Sequence, residues 1–254
     1  MKHTIYQDMQ AARLAGIKKF SILIDPDKVT PESLLLTIDY AAKANTDYIF
    51  FGGSLLVNDA FAECIDVIKS YCNIPVVIFP GSILQIDPKA DAILYLSLLS
   101  GRNPELLIGQ QVAAAPALRN SGLEIISTGY LLIDGGNATT VSYISNTLPI
   151  PHDKNDIAVC TAWAGEMLGF KLIYLDTGSG AMKTVSESMV TQVSSNISLP
   201  LIVGGGINTA SKAAALCEAG ADIIVVGSSI EKEPSLIVSM AEAVHAVGIS
   251  RKQL

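Results

Sequence analysis

The chain has few of the residues from which many active sites are built. Its three histidines, His3, His152 and His245, share no motif. Its four cysteines, Cys64, Cys72, Cys160 and Cys217, have neither metal-type nor CxxC spacing. A zinc cluster, a redox dithiol and a Ser-His-Asp triad are therefore not expected. Cys64 and Cys217 fall inside predicted helices, as buried thiols in a reducing compartment would. There is no basic run, and the net charge is −7, so a nucleic-acid partner is not expected. No apolar run approaches the ~18 residues of a membrane span. The opening MKHTIYQDMQ has no apolar h-region behind its positive charge, which predicts a cytoplasmic protein without a signal peptide. Linkers, low-complexity tracts and composition shifts are missing too, so residues 1–254 read as a single domain.

What the chain has is apolar residues, half its composition, arranged in short runs that end in glycine. From Leu172 to Ile230 it reads LIYLDTGSGA, LIVGGGI and IIVVGSSI in succession. Apolar runs of this length bounded by glycine predict strands buried on both faces. Helix-like segments starting near Ser186 and Thr209 separate them, so the order is that of a parallel βα array. The three strands then open on one edge, which carries Asp176, Thr177, Gly178, Ser179 and Gly180, then Gly204, Gly205 and Gly206, then Gly227, Ser228 and Ser229.

Without a Cβ, glycine lets backbone N–H groups approach an anion. Ser228-x-x-Glu231 has the form of a capping box, which predicts a short helix starting at Ser228 and aiming its first N–H groups into the same space. Phosphate binding after strands 7 and 8 recurs in (β/α)8 barrels, and a chain of 254 residues fits one such barrel. Tight βα turns are the plainer use of these glycines, but two glycine turns on adjacent strands favour phosphate.

The rest of the chain fits the same frame. Strand 1, Phe20 to Ile24, ends in Asp25-Pro26-Asp27-Lys28, and Thr30 then caps a helix with Pro31 at its first position. Asp25 stands at the catalytic end of the barrel as a ligand or acid/base candidate, or in the plainer reading as an Asx turn before proline. Strand 2, Tyr48 to Phe51, ends in Gly52-Gly53-Ser54, and a helix from Asn58 to Tyr71 follows. A hydroxyl at Ser54 beside Asp25 would make a partial Mg²⁺ site.

Strand 3 (Val76 to Phe79) and strand 4 (Ala92 to Ser97) are joined by only PGSILQIDPKAD. That is too short and too proline-rich for a comfortable crossover helix. An extended segment that opens a groove lined by Ile83, Leu84 and Ile86, and a compressed helical turn, fit this stretch equally. Strand 5 is Glu124 to Thr128, and a long active-end loop follows from Gly129 to about Asn155. Beyond it, the helix through Leu168 is apolar nearly all round, which calls for a second covering. A subunit interface is the commoner cause, and an apolar substrate the rarer one.

These segments together resemble a family. Ile24-Asp25-Pro26-Asp27-Lys28, Gly52-Gly53-Ser54, Tyr174 through Ala181, Val203-Gly204-Gly205-Gly206-Ile207 and Val225-Val226-Gly227 are similar to the signatures of the geranylgeranylglyceryl and heptaprenylglyceryl phosphate synthases. The resemblance covers strand 1 to strand 8. It implies an α/β fold, a modified (β/α)8 TIM barrel whose third helix is replaced by an extended segment. It also implies a reaction, alkylation of the 3-hydroxyl of sn-glycerol 1-phosphate by a polyprenyl diphosphate with release of diphosphate.

By that resemblance Asp25 and Ser54 help hold Mg²⁺. Tyr174, Leu175, Asp176, Thr177, Gly178, Ser179 and Gly180 surround the glycerol phosphate, with Asp176 and Tyr174 as the catalytic residues. Gly205, Gly206, Gly227 and Ser228 form the phosphate cradle. The prenyl tail would lie along the open flank between strands 3 and 4, the stretch after Tyr130 and the helix around Ala162 and Trp163. A homo-oligomer and transient contact with a membrane surface for product release are the further expectations.

Three positions depart from the pattern. Asp176 stands where most relatives have Glu, Leu23 where some have Lys, and Ser228 where many have Asn. Two other functions compete. A sugar-phosphate isomerase or aldolase on the same barrel would need an acid/base pair or a Schiff-base lysine at a strand end. A non-catalytic phosphometabolite-binding module would have no use for Asp25, Ser54 and Asp176.

Overall fold

Short runs of β-branched and aromatic residues form eight parallel strands. They are β1 (Lys19–Ile24), β2 (Tyr48–Phe51), β3 (Val76–Ile78), β4 (Ala92–Leu98), β5 (Glu124–Leu132), β6 (Leu172–Asp176), β7 (Leu201–Gly204) and β8 (Ile223–Val226). Each pairs with its neighbours in sequence, and β8 closes on β1. The computed structural model describes residues 4–58 and 60–250; His3 lies outside them.

Alternation along the strands divides the core in two. Tyr48, Phe50, Leu94, Tyr130, Tyr174 and Val225 belong to the cluster inside the barrel. Ile49, Phe51, Ile93, Leu131, Ile173, Leu175 and Ile224 belong to the layer shared with the surrounding helices. Both sets are out of water, as a parallel sheet covered on both faces requires. The sequence assigned no element before strand 1. A helix, Ile5–Ala15, starts there behind a Thr4–Gln7 capping box, and its Met9 joins the interior cluster.

The third helix is missing. Residues 79–91 run from β3 to β4 as turns and extended chain. Gln85 keeps this segment ordered. Fully buried, it donates from Nε2 to the Gly53 carbonyl at 2.7 Å and accepts from the Gly53 N–H at 3.3 Å. The segment is thereby locked to the end of β2.

Two expectations need correction. The helix after β2 begins at Phe61, not at Asn58. The other is larger: β5 does not stop at Thr128 but continues to Leu132, where it pairs with Asp176 of β6. Gly129 looked like the end of a strand. Its missing side chain instead makes room, since a Cβ there would lie 2.7 Å from Leu99 and 3.0 Å from Ile173. The extension brings Tyr130 and Leu132 into the barrel mouth.

Candidate active site

The carboxyl ends of the strands open into one cavity of about 800 Å³. Its two sides differ in chemistry. Over β6, β7, β8 and β1 it is lined by Asp176, Gly178, Ser179, Gly180, Gly205, Gly206, Gly227, Ser228 and Asp25, with Ser54 beside them over β2. On the opposite side it runs between segment 79–91 and the helix Gln110–Ser121, against Ile83, Ile86, Ile93, Leu96, Leu106 and Ala114. One end is therefore polar and glycine-rich, and the other is an apolar groove.

Asp176 lies where the two meet. It ends β6 and is 7 % exposed. The Tyr130 hydroxyl donates to its Oδ2 at 2.7 Å, and the Gly178 N–H donates to its Oδ1 at 2.8 Å. Burial pushes the Asp176 carboxyl above the usual carboxylate range, against the pull of Tyr130 and the Gly178 and Thr177 N–H groups. The carboxylate is thus a stronger base than a solvated one. Burial, with Asp176 nearby, raises the Tyr130 and Tyr174 hydroxyls well above the usual tyrosine range, so both stay protonated donors. Their rings and Phe79 form an aromatic wall. Phe79 stacks on Tyr174 with centroids 5.2 Å apart, and Tyr130 meets Tyr174 edge-on at 5.5 Å.

The glycine turns take conformations that other residues avoid. Gly205 has φ +82°, and a Cβ there would lie 2.3 Å from Thr177 Oγ1 and 2.7 Å from Asp176 Oδ1. The β7 turn thus closes directly onto the end of β6. Gly227 is different. Its φ is −123°, and a Cβ would meet nothing nearer than Leu23 at 3.5 Å. Packing does not require glycine at this position; an open backbone facing the cavity does make use of it.

The helix Ser228–Lys232 follows, and its first N–H groups have no intrahelical partner. The capping-box expectation fails here. Gly227 is the N-cap, without a side-chain cap bond. Ser228 Oγ instead accepts the Gly180 N–H at 3.2 Å and lies 2.9 Å from Ser179 Oγ. Glu231 turns to Lys28 at 3.3 Å. A charged partner across the cavity mouth wins over a cap on a helix of five residues.

Asp25 directly follows β1, and its Oδ1 accepts the Asp27 N–H at 3.1 Å. The Asx turn is therefore present, and the carboxylate lines the cavity as well. Strands β1 and β2 pair, and a Cβ on Gly53 would lie 3.0 Å from Asp25 Oδ1. The carboxylate thus rests on the backbone just before Ser54. Among the described residues no group of three or more His, Cys, Asp and Glu could hold a metal. Two hard oxygen donors, Asp25 and Ser54, fit Mg²⁺ only in its usual phosphate-assisted form, with waters and substrate oxygens filling the other positions.

Two residues expected around the substrate are not brought to the cavity. Leu175 belongs to the helix-facing layer. Thr177 is buried behind Gly205, outside this cavity. Strand alternation sets this directly, since neighbours of an inward Tyr174 and Asp176 cannot all face in.

The expected tail contacts also divide. Ile83 and Ile86 line the groove, but Leu84 does not and is 83 % exposed. Ala162 is buried under its own helix, Asn155–Met167, and this helix contributes nothing to the cavity lining. Trp163 donates its indole N–H to the Asn196 carbonyl at 2.7 Å. The groove runs along the other flank of the barrel.

The profile of the PcrB family matches residues 14–247. A geranylgeranylglyceryl phosphate synthase of Chitinophaga pinensis is 60 % identical over 97 % of this chain and 98 % of its own length. One from Methanothermobacter marburgensis is 38 % identical over 92 % of this chain and 96 % of its own length. Among solved structures, (S)-3-O-geranylgeranylglyceryl phosphate synthase from Thermoplasma acidophilum, in complex with substrate sn-glycerol-1-phosphate, superimposes with a TM-score of 0.91. It is 37 % identical, over 96 % of this chain and 99 % of that one.

Proposed function

The chain belongs to the PcrB family, and on that footing we propose that it is a prenyltransferase acting on sn-glycerol 1-phosphate. It joins a polyprenyl diphosphate, geranylgeranyl foremost, to the 3-hydroxyl, giving an ether-lipid precursor and diphosphate. One observation carries this reading. A single cavity holds a backbone anion cradle at one end and an apolar groove at the other, with a buried carboxylate between them.

The parts divide the work. Gly205, Gly206, Gly227 and Ser228 present backbone N–H groups to the phosphate of the acceptor. Gly178, Ser179 and Gly180 close over it. The 3-hydroxyl then faces Asp176. As its oxygen bonds to the first carbon of the prenyl group, the carbon–oxygen bond to diphosphate breaks and the hydroxyl proton passes to Asp176. The raised basicity of that carboxylate favours the transfer. Tyr130 orients Asp176 from the far side, and an ionised carboxylate oxygen has capacity for a further donor. Tyr174 and Phe79 wall the reacting centre off from water.

Asp25 and Ser54 would hold Mg²⁺, which would supply positive charge to offset that of the diphosphate leaving group. Each buried methylene of the tail contributes ~0.8 kcal/mol, so the groove against Ile86, Leu106 and Ala114 selects for a long prenyl chain.

Exposed apolar side chains at the cavity rim, Leu55, Ile83 and Ile144, support transient contact with a membrane surface when product leaves. No described helix is long and apolar enough to cross a membrane, and the reaction is assigned to the cytoplasm. The outward face of the helix Asn155–Met167, with Ile157, Trp163 and Met167 exposed, supports a homo-oligomer. An aldolase would need a lysine that readily loses its proton. Burial alone would lower the Lys28 pKa, but Glu231 and Asp25 outweigh it and hold Lys28 charged.

The test is incubation with labelled sn-glycerol 1-phosphate, Mg²⁺ and prenyl diphosphates of several lengths. Label should enter the organic phase, and should not do so with EDTA or in Asp25→Ala. Glycerol phosphate binding without product at any tail length would leave a phosphate-binding barrel and exclude the transferase.

A further inference from the structure

Lys28 is a cation in the cavity lining. The cavity lining carries five carboxylates, Asp25, Asp27, Asp176, Glu231 and Glu233, against two lysines, Lys28 and Lys232. A doubly charged phosphate entering this space meets net repulsion, and backbone N–H groups carry only partial charges. Lys28 is placed to offset it. Its Nζ lies 3.3 Å from Asp25 Oδ2, 3.3 Å from Glu231 Oε1 and 3.4 Å from Ser179 Oγ. Ser179 Oγ in turn is 2.9 Å from Ser228 Oγ. The ammonium is thus one hydroxyl away from the phosphate cradle, on its solvent side.

We propose that Lys28 is a binding residue for the phosphate of sn-glycerol 1-phosphate, released by Glu231 to the phosphate oxygens when the substrate enters. The inference rests on the substrate reading above. A lysine has three N–H donors and no acceptor, so it can keep one carboxylate while it gains a phosphate oxygen. Its side chain is 43 % exposed, and ion pairs at that exposure are weak. The hold in the free protein is therefore readily exchanged.

The plainer alternative is a strap that ties the β1 loop to the helix Ser228–Lys232. The two differ in what Glu231 does. As a strap, Lys28 and Glu231 act together. As a phosphate ligand, Lys28 acts with the substrate, and Glu231 competes for it.

Isothermal titration of sn-glycerol 1-phosphate into wild type, Lys28→Met and Glu231→Gln separates them. Lys28→Met should weaken binding by about tenfold, the loss of one charge-assisted hydrogen bond, and the loss should shrink as salt is raised. Glu231→Gln should bind at least as tightly as wild type. Equal weakening in both variants would overturn the proposal in favour of the strap, and so would wild-type affinity in Lys28→Met. A wild-type protein that does not bind sn-glycerol 1-phosphate at all would overturn the substrate reading itself, and the proposal with it.

Discussion

The Tyr130 hydroxyl donates to Asp176 Oδ2 at 2.7 Å from the neighbouring strand, with both groups buried. This bond is the main side-chain contact that keeps a desolvated carboxylate ionisable. Removing it in Tyr130→Phe leaves burial less opposed, so the Asp176 pKa rises further. The acid limb of the kcat/KM profile should then move to higher pH, and kcat/KM at neutral pH should fall by about tenfold. A pH–rate profile of both proteins checks this.

Asp176→Asn should abolish turnover without unfolding the chain. Burial raises the carboxyl pKa on folding, so at pH above that raised value the ionised group costs native stability. Stability returns as pH falls through it. Asparagine never ionises and can still accept from the Gly178 N–H. Thermal unfolding at neutral pH should give a Tm equal to or above that of wild type, and the difference should narrow in acid.

Two glycines should respond in opposite ways to alanine. Gly227→Ala meets only Leu23 at 3.5 Å, so the fold should be retained while the KM for sn-glycerol 1-phosphate rises. Gly205→Ala meets Thr177 Oγ1 at 2.3 Å with φ at +82°. It should lose ~1–3 kcal/mol of stability, read from denaturant unfolding.

The tail groove makes a prediction about product length. Ala114 lines the groove and is nearly buried, so Ala114→Trp should shorten the preferred prenyl donor and leave glycerol phosphate affinity unchanged. Leu84→Trp, on an exposed position outside the groove, should leave product length unchanged. Chromatography of products from a mixture of donors distinguishes the two.

The barrel was legible because β1, β2, β6, β7 and β8 are short apolar runs with glycine or aspartate at or just after their ends. The glycine-lined side of the cavity was legible for the same reason, since Gly205, Gly206 and Gly227 fall at or just after such ends. What hid Tyr130 was Gly129, which read as a stop and is instead a gap filled by Leu99 and Ile173. Pairing of β5 with β6 would have revealed it, as Tyr130 lies opposite Tyr174. Gly165 fills the same role from the helix side, its absent Cβ lying 2.8 Å from Leu99. Ala162, on the same helix, is buried in the layer between barrel and helices and does not line the cavity. Lys28 lies past the end of β1. Its contacts with Ser179 and Glu231 span residues far apart in sequence, which no local pattern records.

In the proposed reaction, acceptor and tail occupy the two ends of one cavity with Asp176 between them. A crystal structure with sn-glycerol 1-phosphate and a non-ionising thio analogue of geranylgeranyl diphosphate tests this most directly. Phosphate is expected at Gly205, Gly206, Gly227 and Ser228, and the 3-hydroxyl at Asp176. The prenyl chain should run between segment 79–91 and the helix Gln110–Ser121. A chain lying along the helix Asn155–Met167, or a hydroxyl turned away from Asp176, would contradict it.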